Sequence, residues 1–344
     1  MEKKKIVYNR ILLTRMKYIG DVVLTTPVIR TLREAYPYAH ISYLGDAKAV
    51  SLLEHNPYID EIIPFDFSQD SAFYQMKMYY KMFTGNYDLT IDLYSNPRSA
   101  LMTFATRAKV RIGGDTRGRR HLYTIKIGDD GALKSAIDYH YQSLKPLGIE
   151  PKYYATEIFI TEKEKADASA RLRSLGVDTA KKIIAVHPGA TWPNKIWLKE
   201  QFAGLIERVI EKTNCEIILS PGPNDSSLME YLSRNDRTRV HTLPLLPVRT
   251  LASVLSQCTV FISNDCGPMH IGAAVRTKTI GIFGPEPVEI WFPYEKNDGH
   301  LPMFKKLPCS PCRTTSCFRI GEEYLECMKL ITVDEVFTAV KERL

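Results

Sequence analysis

The sequence predicts an α/β protein made of two doubly wound parallel sheets. Three observations carry that prediction. Short apolar runs alternate with longer amphipathic segments along the whole chain. The runs are rich in Ile, Leu, Val and Tyr and lack strict polar alternation, as in parallel strands covered on both faces. At 344 residues the chain exceeds what one core usually supports, and the pattern restarts midway.

In chain order, RILLT is the first strand and DVVLTTPVIRTLREAY the helix after it. HISYLG, EIIPFD and YDLTIDLYS follow as strands, separated by helices at AKAVSLLEHN and through the 70s. A helix through LMTFATRA, the run KVRIGG and a helix around IDYHYQSLKPLG complete the first half. A break at 148–182 holds TEIFIT and the charged helix EKEKADASARLRSLGV. The second half repeats the plan with KKIIAVHPG, CEIILSPG, RVHTLP, TVFISND and TIGIFG as strand segments. Its clearest helix, LKEQFAGLIERVIEKT, sets Phe202, Leu205, Ile206, Val209 and Ile210 on one face. These are two Rossmann-like domains, 1–165 and 166–344, with a cleft expected between them and ligands at the carboxyl ends of the strands. The final helix, VDEVFTAVKERL, is expected to pack back on the first domain.

Composition narrows the classes. Apolar residues make up 44% and charged residues 25%, an ordinary globular balance. No apolar run reaches the about 18 residues of a membrane span. The basic start, MEKKKIVYNRILLTRMKYIGDVV, has Arg10, Arg15 and Lys17 breaking its apolar part and no small-residue cleavage site, so a cytoplasmic protein is expected. The net charge of +7 suits anionic partners. Aromatic residues near the basic segments form no stacking pattern, so nucleic acid is not indicated.

Familiar phosphate and hydrolase signatures are missing. The first strand is followed by no G-x-G-x-x-G, and there is no G-x-x-x-x-G-K-[ST], H-E-x-x-H or G-x-S-x-G. Other constellations remain at strand ends. In RMKYIGDVVLTTPVIRTLR, Gly20 and Asp21 sit at the first strand-to-helix turn. A carboxylate there can take a proton from a hydroxyl, or can simply cap the helix. HPGATWPNKIWLKEQFAGL opens the second half. Its Thr191 and Lys195 precede a helix beginning near Leu198, and a hydroxyl, backbone N–H groups and an ammonium together suit a diphosphate. The alternative is an exposed Lys, with Trp192 and Trp197 packing a domain interface.

The third segment, SNDCGPMHIGAAVRTKTIGIFGPEP, ends a strand at Asn264-Asp265 and starts a helix near Gly267. Pro268 fits the first turn, the free N–H groups favour an anion, Gly267 allows close approach, and His270 can donate to it. A capping Asp with a buried His is the plainer reading. In SPGPNDSS, Asn224 or Asp225 could reach a ribose or an adenine edge, although the same letters describe a common turn. Cys309, Cys312, Cys317 and Cys327 raise a structural zinc reading, but the spacings x4 and x9 match no common ribbon or finger. Reduced thiols in a packed loop are the alternative. The loop-like DTRGRRH, with Arg117, Arg119 and Arg120, suits phosphate or carboxylate groups, or is a solvated basic loop.

Taken together, these segments resemble glycosyltransferase family 9, the ADP-heptose:lipopolysaccharide heptosyltransferases, over nearly the whole chain. The tail CSPCRTTSCFRIGEEYLECMKLITVDEV resembles the heptosyltransferase II branch. The resemblance implies a GT-B fold, an acceptor-binding first domain and a nucleotide-sugar-binding second domain. It implies an inverting transfer of heptose from ADP-heptose that needs no metal or other cofactor. Asp21 would be the general base and Lys195 would stabilise the leaving diphosphate. Thr191, Asn224, Asp265, Gly267, Pro268, Met269 and His270 would bind the donor, and Gly20, Arg117, Arg119 and Arg120 the acceptor. The acceptor would be an anionic lipopolysaccharide core, reached by peripheral contact with the inner membrane. Two departures stand out. Cys266 replaces the Thr or Ser of many relatives, and Asn224 lies near where some carry an acidic nucleotide contact. A transferase of another nucleotide sugar, a nucleotide-sugar epimerase of the same fold and a non-catalytic binding protein are the alternatives.

Overall fold

Six parallel strands form each of two sheets, and both sheets have the same strand order. The computed structural model describes residues 7–344 except 70, 117, 129–130, 133 and 235–237. It divides into two compact units, Met1–Phe159 and Ile160–Leu344. The first unit carries β1 (Arg10–Arg15), β2 (His40–Asp46), β3 (Glu61–Phe65), β4 (Leu89–Asp92), β5 (Val110–Gly114) and β6 (Ile125–Ile127), in the order β3-β2-β1-β4-β5-β6. The second carries β7 (Ile183–His187), β8 (Glu216–Leu219), β9 (Val240–Thr242), β10 (Val260–Asn264), β11 (Lys278–Ile282) and β12 (Leu301–Met303), in the order β12-β11-β10-β7-β8-β9.

Counted from its own first strand, each sheet is the doubly wound 3-2-1-4-5-6 arrangement. Connections reverse direction between β1 and β4, and again between β7 and β10. Loops leaving the carboxyl ends of those four strands therefore diverge, and each unit opens a crevice there. The strands flanking the switch points are covered on both faces: Ile11, Leu12 and Leu13 of β1 and Val260, Phe261 and Ile262 of β10 are fully buried.

Several helices are shorter than the sequence predicts, for local reasons. DVVLTTPVIRTLREAY divides into Ile19–Val23 and Thr26–Ala35. The Thr25 hydroxyl donates to Val22 O at 2.7 Å, and Pro27, which lacks an N–H, fits the first turn of the new helix. The run AKAVSLLEHN changes from α-helix to a 3₁₀ turn at Ser51–Leu53. Helix Ala136–Tyr141 does the same ahead of Pro146. The edge strands β6 and β12 are not foreseen in the sequence.

Two packing expectations are corrected. Trp197 does not serve a domain interface. It is fully buried in the core of the second unit, edge-on to Phe202 at 4.9 Å, and its indole N–H donates to Ile331 O at 3.0 Å. The final helix, Val333–Lys341, uses its apolar face inside its own unit. Val336, Ala339 and Val340 join the core formed by Phe202, Leu205 and Val209 of helix Lys199–Lys212. Among the described residues, no helix is long and apolar enough to cross a membrane.

Candidate functional site

The crevice of the first unit is built around Arg15 and Asp21. Arg15 ends β1, and Asp21 lies in the first turn of helix Ile19–Val23. The carboxylate accepts from Tyr18 N–H at 3.2 Å and forms an ion pair with Arg15. Asp21 is thus not the capping residue itself, but it reaches back to the residue that is. Arg15 also donates to Leu93 O at 3.1 Å and lies 4.5 Å from the centre of the Tyr94 ring. One guanidinium therefore ties the turn after β1 to the turn after β4. Only 13% of the Asp21 side chain is exposed.

The turn after β4 is stiffened by Asp92. Its carboxylate accepts from Tyr94 N–H at 3.0 Å, Ser95 N–H at 2.8 Å and Tyr123 O–H at 2.7 Å. Burial raises its pKa, against the pull of those hydrogen bonds. Arg119 donates to Ser95 O at 2.9 Å, so this candidate acceptor residue braces the same turn. Gly20 is buried beside Asp21. Arg120 is exposed and borders an open depression of about 570 Å³ with Asp115, Gly118 and His121. Arg117 lies outside the described residues.

In the second unit, Lys195 and Asp265 meet across the switch point. Their ion pair measures 2.7 Å, and the side chains are 16% and 5% exposed. The ammonium also lies 4.6 Å from the centre of the Trp192 ring. Burial pushes the Asp265 carboxyl up, while Lys195 pulls it down. Asn264 sets the spacing of the two loops: its amide donates to Pro188 O at 2.8 Å and accepts from Trp197 N–H at 3.1 Å. Gly189 lets the Asp225 carboxylate come close, since a Cβ there would lie 1.8 Å from Asp225 Oδ2 and push that side chain aside.

Helix Gly267–Ala274 begins beside Asp265, with Gly267 and Pro268 partly exposed at its start. Cys266 is its cap, and burial pushes that thiol up to about 12, so it remains protonated. His270 is buried, shares a 2.6 Å hydrogen bond with Tyr294 O–H, and is driven down to about 3 by burial and then by Lys195. It is neutral, and what it can offer an anion is a hydrogen bond, not a charge. Met269 is fully buried against Phe283 and Phe292, so its side chain supports the helix from behind. Thr191 and Asn224 stand exposed on their loops, while Asp225 accepts from Gly222 N–H at 2.7 Å.

Sequence reasoning overlooked Glu286, in the loop after β11. It accepts from Trp291 Nε1–H at 2.9 Å, and burial raises its pKa, with Lys195 opposing and Asp265 adding. The cysteine-bearing tail clamps this loop and the Lys195 loop together. Ser310 O–H donates to Gly284 O at 2.6 Å, Arg313 N–H to Pro285 O at 2.8 Å, and the buried Asn194 amide to Thr314 O at 2.7 Å. Cys309, Cys312, Cys317 and Cys327 are free thiols around one small cavity. Burial, and then the neighbouring thiols, push Cys327 up to about 11. Among the described residues, no three His, Cys, Asp or Glu side chains are grouped to hold a metal ion.

Comparison with known proteins agrees with this architecture. The chain is 27% identical to lipopolysaccharide heptosyltransferase 3 of Escherichia coli K12, over 82% of this chain and 84% of that one. Among solved structures, a glycosyl transferase family 9 protein from Veillonella parvula matches with a TM-score of 0.83 at 24% identity, covering 98% of this chain and 97% of that one. The E. coli ADP-heptose lps heptosyltransferase II matches with a TM-score of 0.79 at 20% identity, covering 97% and 98%. The expected GT-B fold is thereby shown. The model of glycosyltransferase family 9 (heptosyltransferase) matches residues 76–320, a span that takes in the turn after β4, the Lys195 loop, Asp265 and Glu286, and the chain belongs to that family.

Proposed function

We propose that this protein transfers heptose from ADP-heptose to the inner core of lipopolysaccharide, with inversion at the anomeric carbon and without a metal ion. The observation that carries the reading is the Lys195–Asp265 pair beside the start of helix Gly267–Ala274. It supplies a cation beside the Gly267 turn that opens the helix, which suits a diphosphate leaving group. The E. coli relatives, named for heptose transfer to lipopolysaccharide, supply the sugar and the acceptor.

In this mechanism the acceptor hydroxyl loses its proton to Asp21 as its oxygen attacks the anomeric carbon. The bond from that carbon to the β-phosphate oxygen breaks on the opposite face, and the electron pair leaves with ADP. Lys195 and the helix start at Gly267 meet the developing negative charge. The Asp265 carboxylate holds the Lys195 ammonium beside the helix start, where it meets the diphosphate. Thr191, Gly267 and Pro268 border the donor, and Asn224 with Asp225 faces the nucleoside. Arg119 and Arg120 serve the anionic acceptor, which is held in the inner membrane and reached from the cytoplasmic side.

Product analysis by NMR tests the chemistry. Incubation of enzyme, ADP-heptose and a truncated lipopolysaccharide core should give a heptoside of configuration opposite to the donor. A retained configuration would rule out direct displacement by the acceptor. Faster turnover of ADP-glucose or a UDP-sugar than of ADP-heptose would assign a different donor.

A further inference from the structure

We propose that helices Ala72–Thr84 and Pro97–Ala105 of the first unit form a docking face for an anionic lipid bilayer. The inference deepens the transferase reading by naming the surface that meets a membrane-held acceptor, and it rests on that reading for its purpose.

The first helix, AFYQMKMYYKMFT, is apolar on two opposite sides, with Lys77 and Lys81 on the flank between them. Met78 and Met82 point into the core, where they meet Met102 of the second helix. The opposite side has no such cover. Phe73 is 82% exposed, Met76 68%, Tyr80 67% and Phe83 49%. Their spacing of three and four residues places all of them on one stripe. The neighbouring helix adds Leu101 and Phe104, 45% and 50% exposed and one turn apart. Arg107, just past that helix, lies 5.3 Å from the centre of the Phe83 ring and links the two sets. Contiguous exposed apolar surface of this kind marks an interaction site.

Charge selects the occupant. Residues 71–87 and 93–114 contain Lys77, Lys81, Arg98, Arg107, Lys109 and Arg111 and no Asp or Glu. Lys81 is partly offset by Glu61 at 2.9 Å, and Arg111 lies 5.5 Å from the Phe104 ring centre. A symmetric contact with a second copy would set this cationic face against itself, because a two-fold interface repeats the same patch on both sides. An anionic bilayer instead takes aromatic rings at its headgroup level and attracts the Lys and Arg residues around them. The first helix is joined to the Asp21 turn through the core it packs on, which includes Phe67. Phe67, just before the first helix, carries Lys17 at 4.2 Å and Arg98 at 5.3 Å over its ring. Lys17 is on the same turn as Asp21.

Co-sedimentation of the full chain with vesicles tests this without turnover, so its failure is separate from any failure of the transferase reading. Vesicles of phosphatidylcholine with 30% phosphatidylglycerol (about one anionic lipid in three, of the order found in anionic leaflets) are compared with pure phosphatidylcholine. The wild type should bind the anionic vesicles at least tenfold more tightly, and added salt should weaken that binding. The double variant Phe73→Ser, Phe83→Ser should lose tenfold or more. Lys77→Glu should lose about fivefold or more, since each basic residue near such a surface contributes about fivefold. Both variants should keep wild-type turnover of a water-soluble core acceptor, because neither touches the Asp21 or Lys195 loops. Absence of wild-type binding, or equal binding by wild type and both variants, would overturn the proposal. So would a concentration-dependent dimer in light scattering that the double variant abolishes, which would give the face to a second copy.

Discussion

At the scale of single residues, the second unit holds its cation in place by the ion pair of Lys195 with Asp265. Lys195→Met removes the charge that the proposed mechanism sets against the leaving diphosphate and is expected to lower kcat by about 10²- to 10³-fold. Steady-state assays check this, and a loss below tenfold would contradict the role of Lys195. His270 gives a pH prediction. It stays neutral down to about 3 in the folded protein, whereas an unfolded His protonates near 6.5. Between those values the unfolded chain binds the extra proton, so stability falls as pH drops through the window. At pH 5 the effect is about 2 kcal/mol for this one residue. His270→Gln should therefore show a smaller fall in Tm between pH 7 and pH 5 than the wild type. The candidates Asp21, Lys195 and Asp265 were legible because each lies where an apolar strand run leads into the next helix. Arg15 and Glu286 were not, because their meaning lies in contacts with Asp21 and Lys195 that local pattern does not display.

At the scale of elements, close packing fixes the donor-side helix. A Cβ on Gly272 would come within 2.3 Å of the Phe261 ring, so helix Gly267–Ala274 lies directly on β10. Gly272→Ala should cost about 1–3 kcal/mol in urea unfolding, as overpacking does. A neutral result would mean that the helix can move. The tail reaches the Lys195 loop through Asn194, whose amide donates to Thr314 O. Asn194→Ala should lower stability by about 1 kcal/mol and also lower kcat, because it frees the loop of Lys195. Unchanged kcat would show that the tail serves stability alone. Long strands and helices were readable from their apolar period. The three-residue edge strands β6 and β12 were not, since both are only partly buried and β12 contains Pro302. The division of DVVLTTPVIRTLREAY was signalled by Pro27, which sits inside an otherwise continuous helical pattern.

At the scale of the whole molecule, two sheets of identical strand order each open a crevice at their own switch point. One crevice carries the Asp21 carboxylate and the other the Lys195 ammonium, and the proposed mechanism uses both. The repeat was plain in the sequence, because KKIIAVHPG restarts the pattern that RILLT begins. What a local reading could not supply was the destination of surfaces far apart in the chain. The last helix was expected on the first domain, yet its apolar residues complete the core around Phe202. The measurement that tests the central claim most directly is ADP release from ADP-heptose, with and without a truncated lipopolysaccharide core, by wild type and Asp21→Asn. Asn still fits the helix turn, so ADP affinity should stay within about twofold, while loss of the base should lower turnover by about 10²- to 10⁴-fold. Acceptor-dependent release by the wild type, lost in the variant, is the predicted result. Release that needs no acceptor, or that survives in Asp21→Asn, would contradict it.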